Sequence, residues 1–267
     1  MENYKKIAND ARKKTLEMIH KAGTSHIGSN FSCIDIFAVL FSKINLDKDL
    51  KEDRDRFLLS KGWAAATLYY FLAEKGIIPK EDLETYCQPG SKYIGLAEPD
   101  VRGVEVAGGA MGHGLPIALG MALGAKLAGE KWQTYVLMSD GELDCGTTWE
   151  CAVLAPQNKL NNLTVIVDVN GFQAMGKTEE VLGMEPLADK WKAFNWEVVE
   201  IDGHNYEQID SALEKSRSSK RKKPLMIIAR TIKGKGVSFF EGKLEWHYKN
   251  VDQENYKKAL AELNNGK

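Results

Sequence analysis

Four short runs rich in Val, Ile and Leu, separated by segments of helical character, constrain this chain more than any other feature. The runs are Thr134–Met138, Leu163–Val169, Trp196–Ile201 and Leu225–Ala229. Runs that are apolar throughout are typical of strands buried on both faces, and intervening helices indicate parallel pairing. The sequence therefore predicts an α/β fold, a parallel sheet flanked by helices on both faces, with residues 1–267 forming a single domain.

The composition excludes several classes of protein. With 36 Lys and Arg against 37 Asp and Glu, the net charge is −1, so no excess charge points to nucleic acid or a membrane surface. No apolar run reaches the roughly 20 residues of a transmembrane helix, and the polar N-terminus lacks the apolar region of a signal peptide. The four cysteines show no CxxC spacing, so we expect a reduced, cytoplasmic protein.

Apolar periodicity also predicts several helices. The first 20 or so residues form an amphipathic pattern, and the segment 32–44 is apolar nearly all round, which indicates a buried helix. A further helix over 64–75 is expected to stop at Gly76, and another is expected over 147–157.

Polar residues beside glycine follow the predicted strands. Asp140 and Gly141 come after one strand, and Asn170 and Gly171 come after the next, 30 residues later. One strand–helix–strand unit of that length brings both strand ends to the same edge of a parallel sheet, where ligands bind. Carboxylate and amide oxygens suit Mg²⁺ or Ca²⁺, and Gly141 would let the backbone approach a phosphate. Ordinary turns are the alternative interpretation of each dipeptide.

A glycine-rich segment, residues 104–123, precedes a helix of small apolar residues. Glycines permit close approach of the backbone to a ligand, and a helix N-terminus favours an anion. Close helix packing would select the same residues, so this segment alone does not decide between binding and packing.

Taken together, these segments resemble the N-terminal, thiamine diphosphate-binding half of transketolase, in the form in which two genes encode the two halves. The similarity extends over nearly the whole chain in the expected order. The segment Lys233–Phe239, followed by Trp246 and His247, is more specific to transketolases than the thiamine diphosphate motif. The other resembling stretches are 25–28, 55–63, 103–114, 140–142, 170–171 and 202–204.

The resemblance implies a cofactor and the residues that hold it. Asp140, Asn170 and the carbonyl of Phe172 match ligands of Mg²⁺ (or Ca²⁺), and Gly141 and Glu142 match the cofactor-binding strand end. Asn170 also counts among the cofactor contacts. The remaining cofactor contacts implied are Gly109, Ala110, Met111, His113 and His247.

Two histidines match residues near the reacting carbon and the substrate hydroxyls. These are His26 and His247, and imidazole suits proton transfer because its pKa lies near 7. The implied reaction is transfer of a two-carbon ketol unit from a ketose phosphate to an aldose phosphate, with thiamine diphosphate as electron sink. His204 matches no catalytic role.

The chain departs from the family's pattern at three positions, each of which loses a polar group. Trp63 and Leu96 stand where the family has histidines, and Cys145 stands where a glutamate is common. His113 stands where many full-length members carry Gln. These changes predict an altered donor specificity.

The resemblance also implies a partner, because a glutamate on a second, pyrimidine-binding domain activates the cofactor in this superfamily. We expect a C-terminal transketolase subunit of roughly similar size, in an α₂β₂ assembly.

Two alternative functions stay open. One is a subunit of another thiamine diphosphate enzyme, such as a 2-oxo acid dehydrogenase, and the other is a non-catalytic regulatory subunit that binds the cofactor.

Overall fold

A computed structural model describes residues 1–266 and contains a central parallel sheet. Its strands are β1 (Arg56–Leu59), β2 (Thr134–Ser139), β3 (Leu163–Val169), β4 (Glu197–Asp202) and β5 (Leu225–Arg230). They pair in the order β1-β2-β3-β5-β4, and every neighbouring pair is parallel. The α/β fold and the four predicted strands are confirmed.

Strand β1 is the strand that the hydrophobic pattern does not predict. It is four residues long, and its apolar part is Phe57, Leu58 and Leu59. Three apolar residues are too few to establish a strand period. The strand matters because it pairs with β2 at one edge of the sheet and delivers Ser60 and Lys61 to the edge where β2 ends.

The strand register brings the two polar strand ends together. Ser139 of β2 lies opposite Asp168 of β3. Asp140 directly follows the first of these residues, and Asn170 comes two positions after the second. Both therefore emerge at the carboxyl edge of adjacent strands, as the spacing predicts.

Helices cover both faces of the sheet. They are α1 (Glu2–Ala22), α2 (Ile27–Ser32), α3 (Ile34–Lys43), α4 (Ala65–Glu74), α5 (Gly114–Ala128), α6 (Gly146–Gln157), α7 (Thr178–Val181), α8 (Leu187–Ala193), α9 (Tyr206–Ser216) and α10 (Gln253–Asn264). Short 3₁₀ turns occupy Gly62–Ala64, Glu81–Thr85, Asp140–Asp144 and Leu244–His247. Within residues 1–266, no helix combines the length and apolarity that crossing a bilayer requires.

The predicted buried helix over 32–44 is confirmed as α3, and a separate short helix, α2, precedes it. Helix α2 ends at Ser32 and α3 begins at Ile34, with Cys33 between them. Helix α2 begins directly after His26, whose φ of 71° turns the chain into the helix. The predicted stop at Gly76 is confirmed, since α4 ends just before it and Gly76 takes a φ of 69°.

Alternate residues of each strand feed two separate apolar cores. Tyr135 and Leu137 of β2 pack in the core that contains α1, α3, α4 and α9. Val136 and Met138 pack in the other core, against α5, α6 and α8. In β2 and β5 both faces are apolar, so these strands carry no polar alternation, whereas the edge strand β4 exposes Glu200.

Candidate functional site

A cavity of about 360 Å³ opens at the carboxyl edge of β1, β2 and β3. That volume is in the range of small-ligand sites. Its walls come from the loops after these strands, from α2, from the glycine-rich segment and from the residues after β5. Seven of the residues predicted for the site line it: His26, Gly109, Met111, Gly141, Asn170, Phe172 and His247.

Asp140 does not line this cavity but an adjacent one, which shares Phe172 with it, and it joins the ends of β2 and β3. Its Oδ2 accepts hydrogen bonds from the backbone N–H of Gly171 at 2.7 Å and from the hydroxyl of Thr178 at 3.1 Å. Burial, with the nearby charge of Asp168, raises the pKa of Asp140 to about 6. The hydrogen bonds to Asp140 therefore do not fully offset the cost of burying its negative charge. A bound cation would supply the missing opposite charge.

The oxygens next to Asp140 complete a donor set that suits a hard cation. Asn170 lines the cavity, and its Oδ1 accepts the backbone N–H of Phe172 at 3.1 Å. In the described part of the chain, no three His, Cys, Asp or Glu side chains cluster in a way that could hold a metal. A cation here would therefore combine one carboxylate with amide and carbonyl oxygens, which fits Mg²⁺ with phosphate and water completing its shell.

Glu142 supports the cavity rather than lining it. The carboxylate is fully buried, and its Oε1 accepts the hydroxyl of Ser60 and the backbone N–H of Gly112, the latter at 2.9 Å. Burial raises its pKa. Glu142 thereby ties the glycine-rich segment to the end of β1.

Close backbone contact explains two of the glycines. A Cβ on Gly62 would lie 2.1 Å from the carbonyl oxygen of Gly108, so the glycine-rich segment can pack against the loop after β1 only without side chains. Of the predicted contacts on this segment, Gly109 and Met111 line the cavity. Ala110 and His113 are exposed and lie outside the lining.

His26, His247 and Trp63 form one aromatic wall of the cavity. The rings of His26 and Trp63 stack at 4.2 Å and 7°, and His247 meets His26 edge-on at 5.0 Å. The buried Asn30 fixes this wall, since its Nδ2 donates to the carbonyls of His26 at 2.9 Å and of Trp63 at 3.0 Å. Burial, together with the charge of Lys233, lowers the pKa of His26 to about 4 and that of His247 to about 3. Both imidazoles are neutral at pH 7.

The sequence assigns no role to two buried lysines at this edge of the sheet, Lys61 and Lys233. Lys61 follows β1 and forms an ion pair with Asp168 of β3, which also accepts the hydroxyl of Ser32 at 2.6 Å. Burial raises the pKa of Asp168, but the Lys61 ammonium outweighs this and holds it below its usual value. The sequence feature that points to this ion pair is Asp168, the single carboxylate within the apolar run of β3. The other lysine, Lys233, is also fully buried.

Three other residues named from the sequence, His204, Cys145 and Leu96, lie outside the cavity. His204 is structural: its Nδ1 contacts Asp35 Oδ2 at 2.7 Å, and its Nε2 accepts the backbone N–H of Ile232 at 2.8 Å. Cys145 is a half-buried free thiol. Leu96 is half-buried beside Gly109, where an added Cβ would meet its Cδ1 at 3.3 Å. Of the three departures noted in the sequence, Trp63 alone lines the cavity.

Comparison with known proteins gives a consistent result. The profile of the family described as "Transketolase, thiamine diphosphate binding domain" matches residues 3–264. One subunit of the apulose-4-phosphate transketolase of Phocaeicola vulgatus is 40% identical over 255 residues, which cover 94% of this chain and 90% of that protein. The 6-deoxy-6-sulfo-D-fructose transketolase subunit SqwG of a Clostridium species is 41% identical over 262 residues, covering 96% and 94%.

Full-length transketolases share the same structure over part of their length. The crystal structure of transketolase from Campylobacter jejuni superposes with a TM-score of 0.92 at 33% identity, covering 99% of this chain and 43% of that one. Human transketolase is 31% identical over 267 residues, which cover 98% of this chain. This chain thus spans 42% of the human protein, whereas it spans about nine-tenths of the subunit-type relatives.

Proposed function

Since this chain belongs to the transketolase family and matches its thiamine diphosphate-binding domain, we propose that it is the N-terminal subunit of a two-subunit transketolase. The proposed reaction transfers a two-carbon ketol unit from a ketose phosphate to an aldose phosphate, using thiamine diphosphate and Mg²⁺. The observation that carries the proposal is that Gly141 and Asn170, at the ends of β2 and β3, line one cavity with a pair of neutral histidines. Asp140 joins the same two strand ends through its hydrogen bond with the N–H of Gly171. The names of two relatives mention a ketose phosphate and a sulfo-ketose, which favours an anionic ketose donor.

Each group of residues has its own proposed role in this reaction. Asp140, Asn170 and the carbonyl of Phe172 would hold the metal ion and, through it, the diphosphate. Thiamine diphosphate, when bound, supplies the electron sink that cleavage of a carbon–carbon bond beside a carbonyl requires. Neutral His26 and His247 bind and orient the substrate hydroxyls, because a neutral imidazole carries one hydrogen-bond donor and one acceptor. Trp63 and Met111 add apolar surface to the lining of the cavity.

The partner is proposed to be a C-terminal, pyrimidine-binding transketolase subunit in an α₂β₂ assembly. The subunit names of the relatives support this. Large apolar side chains are exposed both at the mouth of the cavity and along α5 and α6, which is typical of a protein–protein interaction surface. These residues are Met111, Met175, Ile117, Leu127, Val153 and Leu154.

We also propose that residues 1–267 act as one domain and that the protein is cytoplasmic. The four cysteines are free thiols, which supports a reducing compartment.

The direct test is ketol transfer by the chain mixed with its candidate partner, in the presence of thiamine diphosphate and Mg²⁺. We expect transfer from a ketose phosphate to an aldose phosphate by the complex, and none by either chain alone, because the activating glutamate is proposed to come from the partner. Activity is measured with several ketose phosphates and, in parallel, with 2-oxo acids. Robust transfer by the single chain would refute the two-subunit proposal, and turnover of 2-oxo acids alone would refute the transketolase reaction. Cofactor binding without any turnover would indicate a regulatory subunit.

Leu127→Asp is expected to weaken assembly with the partner by at least about tenfold, because a carboxylate would be buried without a counter-charge. Leu127 is 80% exposed on α5. The measurement is the dissociation constant of the complex by analytical ultracentrifugation. Ser211→Asp, at an exposed position of α9 on the opposite face of the sheet, is the matched control. Equal affinities for both variants would place the partner elsewhere.

Trp63→His is expected to shift donor preference toward ordinary ketose phosphates. The indole of Trp63 offers one donor and no acceptor, whereas imidazole can accept a hydrogen bond from a sugar hydroxyl. One such bond is worth about 0.5–1.5 kcal/mol, so the ratios of kcat/KM among donors should change roughly 2- to 12-fold. Trp63→Phe keeps an aromatic ring against His26 and should leave the ratios unchanged. If the ratios stay within twofold in Trp63→His as well, Trp63 only fills space.

A further inference from the structure

Lys233 is a buried cation beside the cavity, and it has no carboxylate partner. Its side chain is fully buried, and within residues 1–266 no carboxylate oxygen lies within ion-pair distance of its Nζ. Its Nζ instead lies 3.2 Å from the hydroxyl of Ser29 and 3.1 Å from Nδ1 of His247. Lys61, the other buried lysine at this edge, is paired with Asp168 and so has a simple structural explanation. Lys233 has no such carboxylate, so its burial needs a different explanation.

We propose that Lys233 is a positioning residue that fixes His247 in the tautomer whose proton lies on Nε2. An ammonium group has three donors and no acceptor, so the nitrogen that it contacts must accept. Nδ1 of His247 is therefore unprotonated, and a neutral ring must then carry its proton on Nε2. Since His247 lines the cavity, this N–H is the group that the ring offers to a ligand there.

The loop that carries Lys233 is held in place by its own backbone. The N–H of Gly234 donates to the carbonyl of Gly28 at 3.0 Å, and the N–H of Gly242 donates to the carbonyl of Lys233 at 2.9 Å. Gly28 also leaves the path of the side chain open, because a Cβ there would lie 3.0 Å from Cγ of Lys233. The position of Lys233 is thus fixed by its own loop and by the close approach of Gly28.

The charge states of the two groups agree with this assignment. Burial, together with the charge of Lys61, lowers the pKa of Lys233 to about 8, so its ammonium form still predominates at pH 7. Burial, with the charge of Lys233, keeps the pKa of His247 far below 7, at about 3. A cationic lysine therefore faces a neutral imidazole.

His26 has no such constraint. Its Nδ1 lies 2.7 Å from the hydroxyl of Ser25, which can donate or accept, so either tautomer of His26 satisfies this contact. The two histidines of the wall therefore differ in role. His247 can only donate a hydrogen bond from Nε2, whereas His26 can also accept a proton. If the proposed ketol transfer holds, this assigns removal of a substrate hydroxyl proton to His26 and stabilisation of a substrate oxygen to His247.

The tautomer is measured directly by ¹⁵N NMR of the full chain labelled at histidine. The chain has five histidines, and His247→Asn assigns the signal. We expect an unprotonated Nδ1 and a protonated Nε2 on His247 at pH 7 in the wild type. Lys233→Met, which removes the donor but keeps the length of the side chain, should give a mixture of tautomers. Lys235→Met, two residues away on the same loop and paired with Glu241, is the matched control and should change nothing.

Gly28→Ala offers a second route, because it displaces Lys233 without altering its chemistry, and it should shift the same signal. A protonated Nδ1 in the wild type, or an unchanged tautomer in both Lys233→Met and Gly28→Ala, would overturn the proposal.

Kinetics with the partner subunit separate this proposal from the proposed function on which its catalytic part rests. Lys233→Met should lower kcat by about tenfold with little change in KM, the loss expected for one hydrogen bond in the transition state, and Lys233→Arg should recover most of it. Absence of ketol transfer in the wild type would remove the proposed reaction but leave the NMR result standing. A normal kcat in Lys233→Met, despite a changed tautomer, would refute the catalytic role of the donor.

Discussion

Asp140→Ala is expected to abolish Mg²⁺-dependent binding of thiamine diphosphate. Asp140 is the single carboxylate among the three proposed metal ligands, and a Mg²⁺ site with one carboxylate cannot lose it and stay tight. We expect the affinity for the cofactor to fall by at least about 100-fold, equivalent to roughly 2.7 kcal/mol. Isothermal titration calorimetry with and without Mg²⁺ measures this.

The loss must be separated from a general disturbance of the fold, because Asp140 also accepts the N–H of Gly171 and the hydroxyl of Thr178. Asp140→Asn keeps the shape of the side chain and removes its charge, so it should lose binding with a smaller change in melting temperature. Asp202→Asn, at the exposed end of β4 on the same edge of the sheet, is the matched control and should bind normally. Unchanged cofactor affinity in Asp140→Ala would rule out the metal site.

Asp168→Asn is expected to lower the free energy of unfolding by about 3–5 kcal/mol, because it leaves the ammonium of Lys61 buried without its counter-charge. Both side chains of this pair are almost fully buried. Urea denaturation measures the change.

A double-mutant cycle tells whether the loss comes from the ion pair itself. Lys61→Met combined with Asp168→Asn removes both charges, so it should be more stable than the sum of the single changes predicts. Additive effects, or a loss below about 1 kcal/mol in Asp168→Asn, would mean that the pair is not the source of stability.

Much of this architecture follows from local sequence alone. Strands β2 to β5 were predicted because their apolar runs are continuous and bounded by polar residues and glycine. The meeting of Asp140 and Asn170 was predicted because parallel strands in sequence order end at the same edge. Strand β1 is not predictable in this way, since three apolar residues carry no recognisable period. Helix α2 is not either, since four of its six residues are Gly, Ser or Asn.

The orientation of side chains inside the site was decided by tertiary structure. Nothing near Lys61 in the sequence indicates that Asp168, 107 residues later, neutralises it. Likewise, the stacking of Trp63 on His26 and the contact of Lys233 with His247 depend on how separate loops pack over the sheet edge. The sequence by itself determined that the residues after β2 and β3 reach that edge, because hydrophobic period and the spacing of a strand–helix–strand unit are local properties. Only the packed structure decided which of them touch, which are buried and which nitrogen of His247 carries the proton, because desolvation and hydrogen-bond partners arise between distant parts of the chain.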